Sequence, residues 1–556
     1  MKRAKLVALN SVIVVLFLSV LAGCSGNKSN EGQSSSAPSS SSSSSASASA
    51  TTDENPFTEH MDISVSWWGI GVGFEPHDEV LQKIEKDFNV TLKPVDIGWD
   101  NYKEKSQVWA AAGQLPDIIT HSITSDTPAI YNEWVDQQLI HALPDDLSAY
   151  PNLKTALSID GIDGIKRDGK LYAIPRGTFP VEQVTSVWAV DGAVFVRKDW
   201  MEKLGIKDPQ NFDEFKAMLK AFVEQDPDGN NKDDTTGIVM NTFGYFKNVF
   251  TPTFPEFGNK GWLKEDGKWI PFYASSKMDE VLRQVRSLYT EKALDPDFAV
   301  AKAGEANQKF YQNKAGAFSF TTTSIYGANG IKAEWEKNNP DLNFFDHVKI
   351  LHPWADANGI KYSNVNTPWW SESMINAEAD DRKLDRILRI YDWLLSPAGK
   401  ELFDYGIEGK DYTKAADGKI TITRPKDGEQ FIDLKKGYPS MDIISQLAAW
   451  RNAATIEDNE ANRAAFGDQS VQFVQDELNW TKENTKPIPT AFEIFTMSTP
   501  AKDKLSAITY DDDFTRVILS KEDPVKMWQS VLEGYKSKGL QEAIDEVTAE
   551  MAKFNK

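Results

Sequence analysis

The alternation of predicted strands and helices between residues 61 and 120 is the feature that most constrains the fold of this chain. The stretches MDISVSWWGIG, VTLKPVDI and LPDIIT are rich in β-forming residues and predict three strands. A helix is expected after the first strand, and a second from Asp100 to Ala112. Because strand–helix–strand units form parallel sheets with right-handed crossovers, we expect an α/β fold. The apolar face of the first helix comprises Val80, Leu81, Ile84 and Phe88.

The carboxyl ends of these strands are the expected place for a ligand. In open α/β sheets, ligands bind in the crevice outside the carboxyl ends of the strands. The stretches that follow the three predicted strands are Trp67–Gly71, Ile97–Asp100 and His121–Ser125. We therefore expect binding residues in these three stretches.

The length and the net charge of the chain limit its possible domain organisation and partners. About 500 of the 556 residues follow a serine-rich stretch, which is too many for one hydrophobic core, so we expect two large lobes. The composition is that of a globular protein, with 40% hydrophobic and 26% charged residues. The formal net charge of −21 argues against nucleic acid or an anionic membrane surface as the partner.

The first 23 residues have the pattern of a signal peptide. Met1–Lys5 carries three basic residues, and Leu6–Val20 is mostly apolar but shorter than a membrane-spanning helix. The chain has one cysteine, Cys24, which therefore has no partner for an intramolecular disulfide. A plain signal peptide or an N-terminal anchor helix remain alternatives.

Residues 24–54 are predicted to form a flexible tether. Ser34–Ala50 is almost wholly serine and alanine and cannot build a hydrophobic core. A coil of ~30 residues has a root-mean-square span of roughly 30 Å. The folded part should therefore work close to whatever holds its N-terminus.

Several motifs resemble one protein family. The sequence LAGC, which ends at Cys24, resembles the bacterial lipobox. Four further stretches, in the same order along the chain, resemble segments of bacterial extracellular solute-binding lipoproteins that serve carbohydrate ABC importers (family 1, large lipoprotein subgroup). These stretches are GQLPDIITH (Gly113–His121), LYAIP (Leu171–Pro175), YQNKAGAFSF (Tyr311–Phe320) and WLLSPAGKELFDYGIEGKDYT (Trp393–Thr413).

The resemblance implies a fold and a location. The fold would be periplasmic-binding-protein-like, type II, with a cleft between two α/β lobes joined by crossing strands. The N-lobe would hold residues 55–185 and 371–427, and the C-lobe residues 186–370 and 428–556. Cleavage before Cys24 would leave a lipid-modified thioether, carrying palmitate-type chains, on the outer face of the cytoplasmic membrane, or on its periplasmic side where two membranes exist.

The resemblance also implies a function, which is the capture of a carbohydrate and its delivery to an ABC permease by a monomeric receptor. A surface sugar sensor or an adhesion lipoprotein of the same fold is an alternative. The sequence contains no zincin motif, no Gly-x-Ser-x-Gly elbow and no P-loop. An extracellular lyase or hydrolase remains open, because a glycosidase needs only two carboxylates across a cleft and 82 residues are acidic.

The segment DPDGNNKDDT is a candidate calcium loop. Oxygen ligands fall at alternate positions, as in an EF-hand, and resemble the loop of calcium-holding alginate-binding receptors. It departs from the EF-hand where Asn231 replaces the turn glycine and where Gly237 replaces the bidentate glutamate. The alternative is a solvated acidic turn. The candidate ligands of a structural Ca²⁺ are Asp226, Asp228, Asn230, the carbonyl of Lys232, and Asp234.

Aromatic pairs are the candidate sugar-binding residues. Neighbours on a strand point to opposite faces, so at most one member of each tryptophan pair should face the core. The apolar face of a sugar stacks on indoles, whereas its hydroxyl and carboxylate groups need polar partners such as Arg176. Each residue by itself could equally be structural. The candidates are Trp67, Trp68, His121, Arg176, Trp188 (at the expected hinge), Trp369 and Trp370.

Overall fold

The computed structural model describes most of the chain from residue 56 onward. The expected signal peptide, Cys24 and the tether lie outside the described residues, and so does Trp188. The described ranges are residues 56–98, 101–125, 127–159, 161–177, 193–240, 247–250, 253–258, 261–301, 304–320, 325–363, 369–427, 430–448, 458–488, 490–505 and 508–554.

Strands in the described part of the chain are short, and most belong to two sheets. In chain order they are β1 (Met61–Trp68), β2 (Val90–Ile97), β3 (Ile118–His121), β4 (Ile174–Gly177), β5 (Ala193–Arg197), β6 (Thr236–Val239), β7 (Trp262–Glu265), β8 (Lys268–Pro271), β9 (Ala315–Phe320), β10 (Val348–Ile350), β11 (Tyr362–Ser363), β12 (Trp369–Ile375), β13 (Tyr412–Lys414), β14 (Ile420–Ile422), β15 (Lys426–Asp427), β16 (Gln430–Phe431) and β17 (Lys486–Pro487).

Helices cover the sheets. No helix among the described residues has both the length and the apolar character needed to cross a membrane. In chain order the α-helices are Ile70–Gly73, Glu79–Phe88, Tyr102–Ala111, Pro128–Asp136, Pro151–Ala156, Lys198–Leu204, Phe212–Glu224, Lys247–Phe250, Met278–Thr290, Glu305–Tyr311, Ile325–Asn338, Phe344–His347, Asp381–Leu394, Pro397–Tyr405, Leu434–Gly437, Ser440–Ala448, Glu460–Phe466, Asp468–Asn484, Glu493–Thr496, Pro500–Leu505, Tyr510–Leu519, Pro524–Ser537 and Leu540–Lys553. Short 3-10 helices lie at Ile162–Ile165, Pro255–Gly258, Phe272–Ala274 and Pro296–Ala299.

The first sheet has the strand order β2-β1-β3-β12-β4. Strand β1 pairs in parallel with β2 and β3, so the parallel sheet expected from the sequence is confirmed. Strand β12 comes from far along the chain and inserts antiparallel between β3 and β4. The carboxyl ends of β1, β2, β3 and β4 and the amino end of β12 therefore meet at one edge, which we call the ligand edge.

Two cores cover the two faces of the first sheet, and together they define the first lobe. Adjacent strand residues alternate between these cores: Ile118 lies in one and Ile119 in the other, and Ile375 and Met374 are divided in the same way. Partly buried Asp117 supports this sheet, because its carboxylate accepts hydrogen bonds from the Ser64 backbone and from Lys383 at 2.8 and 2.9 Å.

The first lobe extends beyond its expected boundary at residue 427. Ile444 and Leu447 of the helix Ser440–Ala448 lie in the same core as strand β1. The carboxylate of Asp78 accepts hydrogen bonds from the backbone and hydroxyl of Ser440, both at 2.8 Å. The expectation that the second lobe resumes at Gly428 is therefore wrong, because this helix covers apolar surface that the first sheet leaves open.

The second sheet has the order β10-β5-β9-β6 and also lies between two cores, which define the second lobe. The residues of β5 alternate between them, with Val194 and Val196 on one side and Phe195 on the other. The described residues change lobe three times along the chain: between β4 and β5, between β11 and β12, and after Leu447. Three passages are consistent with the expected two-lobe architecture.

A close contact joins the lobes where the 3-10 helix Ile162–Ile165 meets the helix Glu493–Thr496. Ile165 lies in a core of the first lobe and Ile494 in a core of the second. A Cβ atom at Gly161 would lie 2.8 Å from the Cβ of Phe492, which is closer than real Cβ contacts. The absence of a side chain at Gly161 therefore allows the lobes to touch here.

We predict that Gly161→Ala lowers the melting temperature more than Gly169→Ala does. Both glycines have positive φ values, 77° and 78°, so alanine adds a similar backbone strain of about 1 kcal/mol at either position. Only Gly161 faces the other lobe, since a Cβ at Gly169 would meet nothing within 4 Å. The clash should cost a further ~1–3 kcal/mol. Equal decreases in thermal scans would show that the two segments do not touch.

Candidate functional site

Five of the seven candidate binding residues come together at the ligand edge. Trp67 and Trp68 end β1, His121 ends β3, Arg176 lies near the end of β4, and Trp370 lies near the start of β12. The strand order places these positions side by side, and the helix Tyr102–Ala111 adds an aromatic ring from above the edge. We call this group the edge cluster, which comprises Trp67, Trp68, Tyr102, His121, Arg176 and Trp370.

The aromatic rings of the edge cluster pack in a defined order. The Trp67 and Trp68 ring centroids are 4.5 Å apart at 64°, and Trp370 stacks on Trp68 at 5.3 Å and 20°. Tyr102 meets Trp68 edge-on at 5.2 Å. Trp67 and Trp68 are 2% and 5% exposed, whereas Trp370 is 36% exposed. Trp370 is thus an indole held from behind by other rings and partly open to solvent.

The two tryptophan pairs differ in how they follow the alternation rule. The register of β12 against β4 shifts between Trp369 and Ser371, so Trp370 is the extra residue. Trp369 is buried in the opposite core, with its Nε1 3.3 Å from the Thr124 hydroxyl. The structure therefore does not bring Trp369 into the edge cluster. The pair Trp67–Trp68 departs from the rule, because both of its members are buried.

Arg176 is the cation of the edge cluster. Its guanidinium carbon lies 4.6 Å from the ring centroid of Trp370 and 5.4 Å from that of Trp67, within the range of cation–π attraction. Its Nε donates a hydrogen bond to the Ser371 hydroxyl at 2.9 Å. Burial lowers the pKa of Arg176 to about 10, so the guanidinium remains charged at neutral pH.

His121 lies beneath the cluster rather than at its surface. The residue is fully buried, and its two ring nitrogens lie 3.3 Å from the hydroxyls of Ser66 and Ser106. Burial lowers the pKa of His121 to about 3, so the imidazole is neutral at physiological pH. In this conformation His121 supports Trp68, whose ring centroid is 5.3 Å away, and does not reach solvent.

Glu372 is a functional candidate that the sequence analysis missed. The residue is fully buried, and its carboxylate accepts hydrogen bonds from the backbone of Ile123 and Thr124 at 2.6 and 2.7 Å. The Thr124 hydroxyl adds a third at 2.7 Å. These bonds tie the turn after β3 to β12. An acidic residue within the otherwise apolar and small-residue strand WWSESMI is the signal that could have revealed it.

The candidate calcium loop folds around an asparagine. The side-chain nitrogen of Asn230 donates hydrogen bonds to Asp228 at 2.7 Å and to Asp234 at 3.0 Å. The Asp226 carboxylate accepts from the backbone of Asn230 and Asn231 at 3.1 and 3.0 Å. Burial, together with the nearby Asp226 carboxylate, raises the pKa of Asp228.

The loop fits calcium in its chemistry but not fully in its geometry. Its donors are carboxylate, amide and carbonyl oxygens, which Ca²⁺ prefers, and Asn231 has the positive φ of 58° that the turn requires. However, no three His, Cys, Asp or Glu residues in the described part of the chain are grouped closely enough to hold a metal ion. In this conformation an amide nitrogen lies between Asp228 and Asp234.

Comparison with known proteins extends over most of the chain. The chain is 25% identical over 427 residues to the polygalacturonan/rhamnogalacturonan-binding protein YtcQ of Bacillus subtilis, which covers 74% of each protein. It is similar in structure to the Streptococcus pneumoniae ABC-transporter substrate-binding protein FusA in complex with kestose, at a TM-score of 0.60 and 17% identity, covering 90% of this chain and all of FusA.

A second solved structure with the same fold is the alginate-binding protein AlgQ2 without calcium ion. The TM-score is 0.61 at 17% identity, and the match covers 88% of this chain and 98% of AlgQ2. FusA has also been solved as an EF-hand mutant, with a TM-score of 0.59. At these identities the likeness shows the fold, so the expected type II periplasmic-binding-protein-like architecture is confirmed.

The family model described as bacterial extracellular solute-binding protein matches residues 75–401. The match begins just after β1 and ends within the helix Pro397–Tyr405, so it includes the rest of the first sheet, the second sheet and the antiparallel strand β12. It covers more than half of the 556 residues. The chain therefore belongs to the bacterial extracellular solute-binding protein family.

Proposed function

We propose that this protein binds a carbohydrate between its two lobes, at the ligand edge, and delivers it to the permease of an ABC importer. The observation that carries the proposal is the partly exposed indole of Trp370, stacked on Trp68 and backed by further rings. Membership of the solute-binding family supports it. Further support comes from YtcQ, which is a polygalacturonan/rhamnogalacturonan-binding protein, from FusA in complex with kestose, and from the alginate-binding AlgQ2.

The physical reason lies in the two faces of a sugar ring. Its axial C–H groups form a weakly apolar surface that stacks on an indole, while its hydroxyls need polar partners nearby. Trp370 offers the flat surface, and Arg176 supplies hydrogen-bond donors. Because Trp370 already stacks on Trp68, little rotamer freedom remains to be lost when a sugar binds.

Binding rather than catalysis is the proposed role. The relatives named above are binding proteins. The buried carboxylate next to the edge cluster, that of Glu372, accepts hydrogen bonds from two backbone N–H groups and one hydroxyl. These bonds tie the turn after β3 to β12, so the carboxylate has a structural part in the first sheet.

We predict that Trp370→Ala weakens saccharide binding at least tenfold, because a buried aromatic anchor is worth about 2 kcal/mol. Titration calorimetry with oligosaccharides measures the affinity, and the melting temperature of the variant reports folding. Trp393→Ala is the matched control, since Trp393 is also half-buried but packs on Phe88, near the opposite end of β2. Equal losses of affinity in the two variants, or none in Trp370→Ala, would place the site elsewhere.

The acidic loop, by our proposal, holds a structural Ca²⁺. Its ligands would be the side chains of Asp226, Asp228, Asn230 and Asp234, with the carbonyl of Lys232. The loop joins the helix Phe212–Glu224 to β6, so an ion there would stabilise the second lobe rather than contact the sugar. Support comes from the oxygen donor set, and from two proteins of the same fold: AlgQ2, solved without calcium ion, and FusA, solved as an EF-hand mutant.

We predict that chelation with EGTA lowers the melting temperature of the native protein and that Asp228→Ala abolishes this effect. A ligand present at 100 times its dissociation constant stabilises the folded state by about 2.7 kcal/mol. Asp233→Ala is the control, because it removes the same charge from an exposed position between the alternating donors. An unchanged melting temperature on chelation, or the same behaviour of both variants, would contradict the calcium proposal.

Cys24 is proposed as the lipid-anchor site of an exported protein. The basis is the lipobox-like sequence before it and the serine-rich stretch after it. Two acyl chains hold a protein at a membrane, whereas one gives only marginal binding.

We predict that Cys24→Ser is released into the medium with its saccharide affinity unchanged, as measured by cell fractionation and calorimetry. The wild-type protein should remain with the membrane in the same fractionation. A cleaved Cys24→Ser protein that stays firmly on the membrane would contradict the anchor.

A further inference from the structure

Arg176 carries a buried positive charge without a carboxylate partner among the described residues. It is 5% exposed, and the acceptor found for it in the described part of the chain is the Ser371 hydroxyl. A buried charge without an opposite charge or full hydrogen bonding is costly, and cation–π attraction offsets that cost only in part. Within the described part of the chain, the position therefore lacks a negative group that would balance the charge of the guanidinium.

Each of the other buried arginines that the structure describes has a carboxylate nearby. Arg197 forms a bidentate ion pair with Asp199, at 2.8 and 2.5 Å. Arg386 donates hydrogen bonds to three backbone carbonyls, and Arg424 lies in the field of two aspartates. Among the described residues, Arg176 at the ligand edge therefore differs from the other buried arginines in having no carboxylate beside it.

Glu372 does not fill this role, although it lies one residue from Ser371. Ser371 pairs with Arg176 across β12 and β4, and neighbouring strand residues point to opposite faces. The Glu372 carboxylate is directed to the turn after β3, where the backbone of Ile123 and Thr124 binds it. A negative group for Arg176 must therefore come from elsewhere.

We infer that Arg176 binds the carboxylate of a uronic acid residue in the ligand, so that the protein selects acidic over neutral saccharides. This inference rests on the proposed function, because it assigns the class of sugar to the same site. A guanidinium fork matches a carboxylate in a bidentate pair, and the adjacent Trp370 ring can stack on the sugar that carries it. The formal net charge of −21 repels an anionic sugar at long range, so a local cation is needed at the site.

The test compares trisaccharides of galacturonate and of mannuronate with their carboxyl-reduced, neutral forms by titration calorimetry. We expect at least one acidic form to bind about ten- to hundredfold more tightly than its neutral form, the size of a charge-assisted hydrogen bond. This preference should weaken in high salt. Arg176→Gln should abolish it, while Arg176→Lys, which keeps the charge but not the fork, should retain part of it.

Several results would overturn the inference. If acidic and neutral forms bind the native protein equally, or if neither acid binds, the site does not select uronates. If Arg176→Gln weakens both forms by the same factor, the guanidinium acts only as a support for Trp67 and Trp370. The comparison within the native protein needs no variant and holds even if Arg176→Gln fails to fold. If the protein binds only neutral sugars, the uronate inference is wrong but the proposed function stands. If it binds no sugar in a wider saccharide panel, both the inference and the proposed function are wrong.

Discussion

The insertion of β12 between β3 and β4 is the interaction on which the rest of the site depends. The strand lies about 250 residues beyond β3 in the sequence, and the Glu372 carboxylate is 248 positions from the Thr124 backbone that it binds. If that carboxylate were removed, two buried N–H groups would be left without their acceptor, at a cost of ~1–3 kcal/mol each. The hydrogen bonds of Glu372 therefore hold both the sheet and the turn beside the edge cluster.

The same strand joins the site to the architecture of the two lobes. It follows directly after a passage of the chain from the second lobe, and its bulge places Trp370 over Trp68 and Arg176. A shift of β12 would move the exposed indole and the Ser371 hydroxyl together. In two-lobed proteins a ligand can drive closure only through its preference for the closed state. A ligand that contacts residues on β12 touches a strand next to a passage between the lobes, so its contacts can differ between the open and closed states.

Much of the secondary structure was predictable because it depends on near neighbours. Asn211 and Glu214 form a capping box that is legible in the sequence, and the Glu214 backbone donates a 2.9 Å hydrogen bond to the Asn211 side chain. The helix Glu79–Phe88 buries the four apolar residues that the sequence assigns to its inner face. The buried face of the helix Tyr102–Ala111 was harder to predict, because its apolar residue Val108 is 64% exposed. The face it buries includes Ser106, which has a partner, His121, that no local pattern reveals.

The sequence by itself determined the α/β class, the division into two lobes, and the edge of the first sheet at which the candidate binding residues lie. These follow from periodicity, capping and chain length, which are local or global properties of the sequence. Only the tertiary structure decided how many members of each tryptophan pair are buried, which lobe holds the helix Ser440–Ala448, and what surrounds Arg176. The reason is that each depends on a contact between distant segments: the Arg176–Ser371 hydrogen bond joins residues 195 positions apart, across a register that a bulge shifts. Alternation predicts the face on which a strand residue lies, but not whether a distant segment covers that face, as the helix Tyr102–Ala111 does at Trp68.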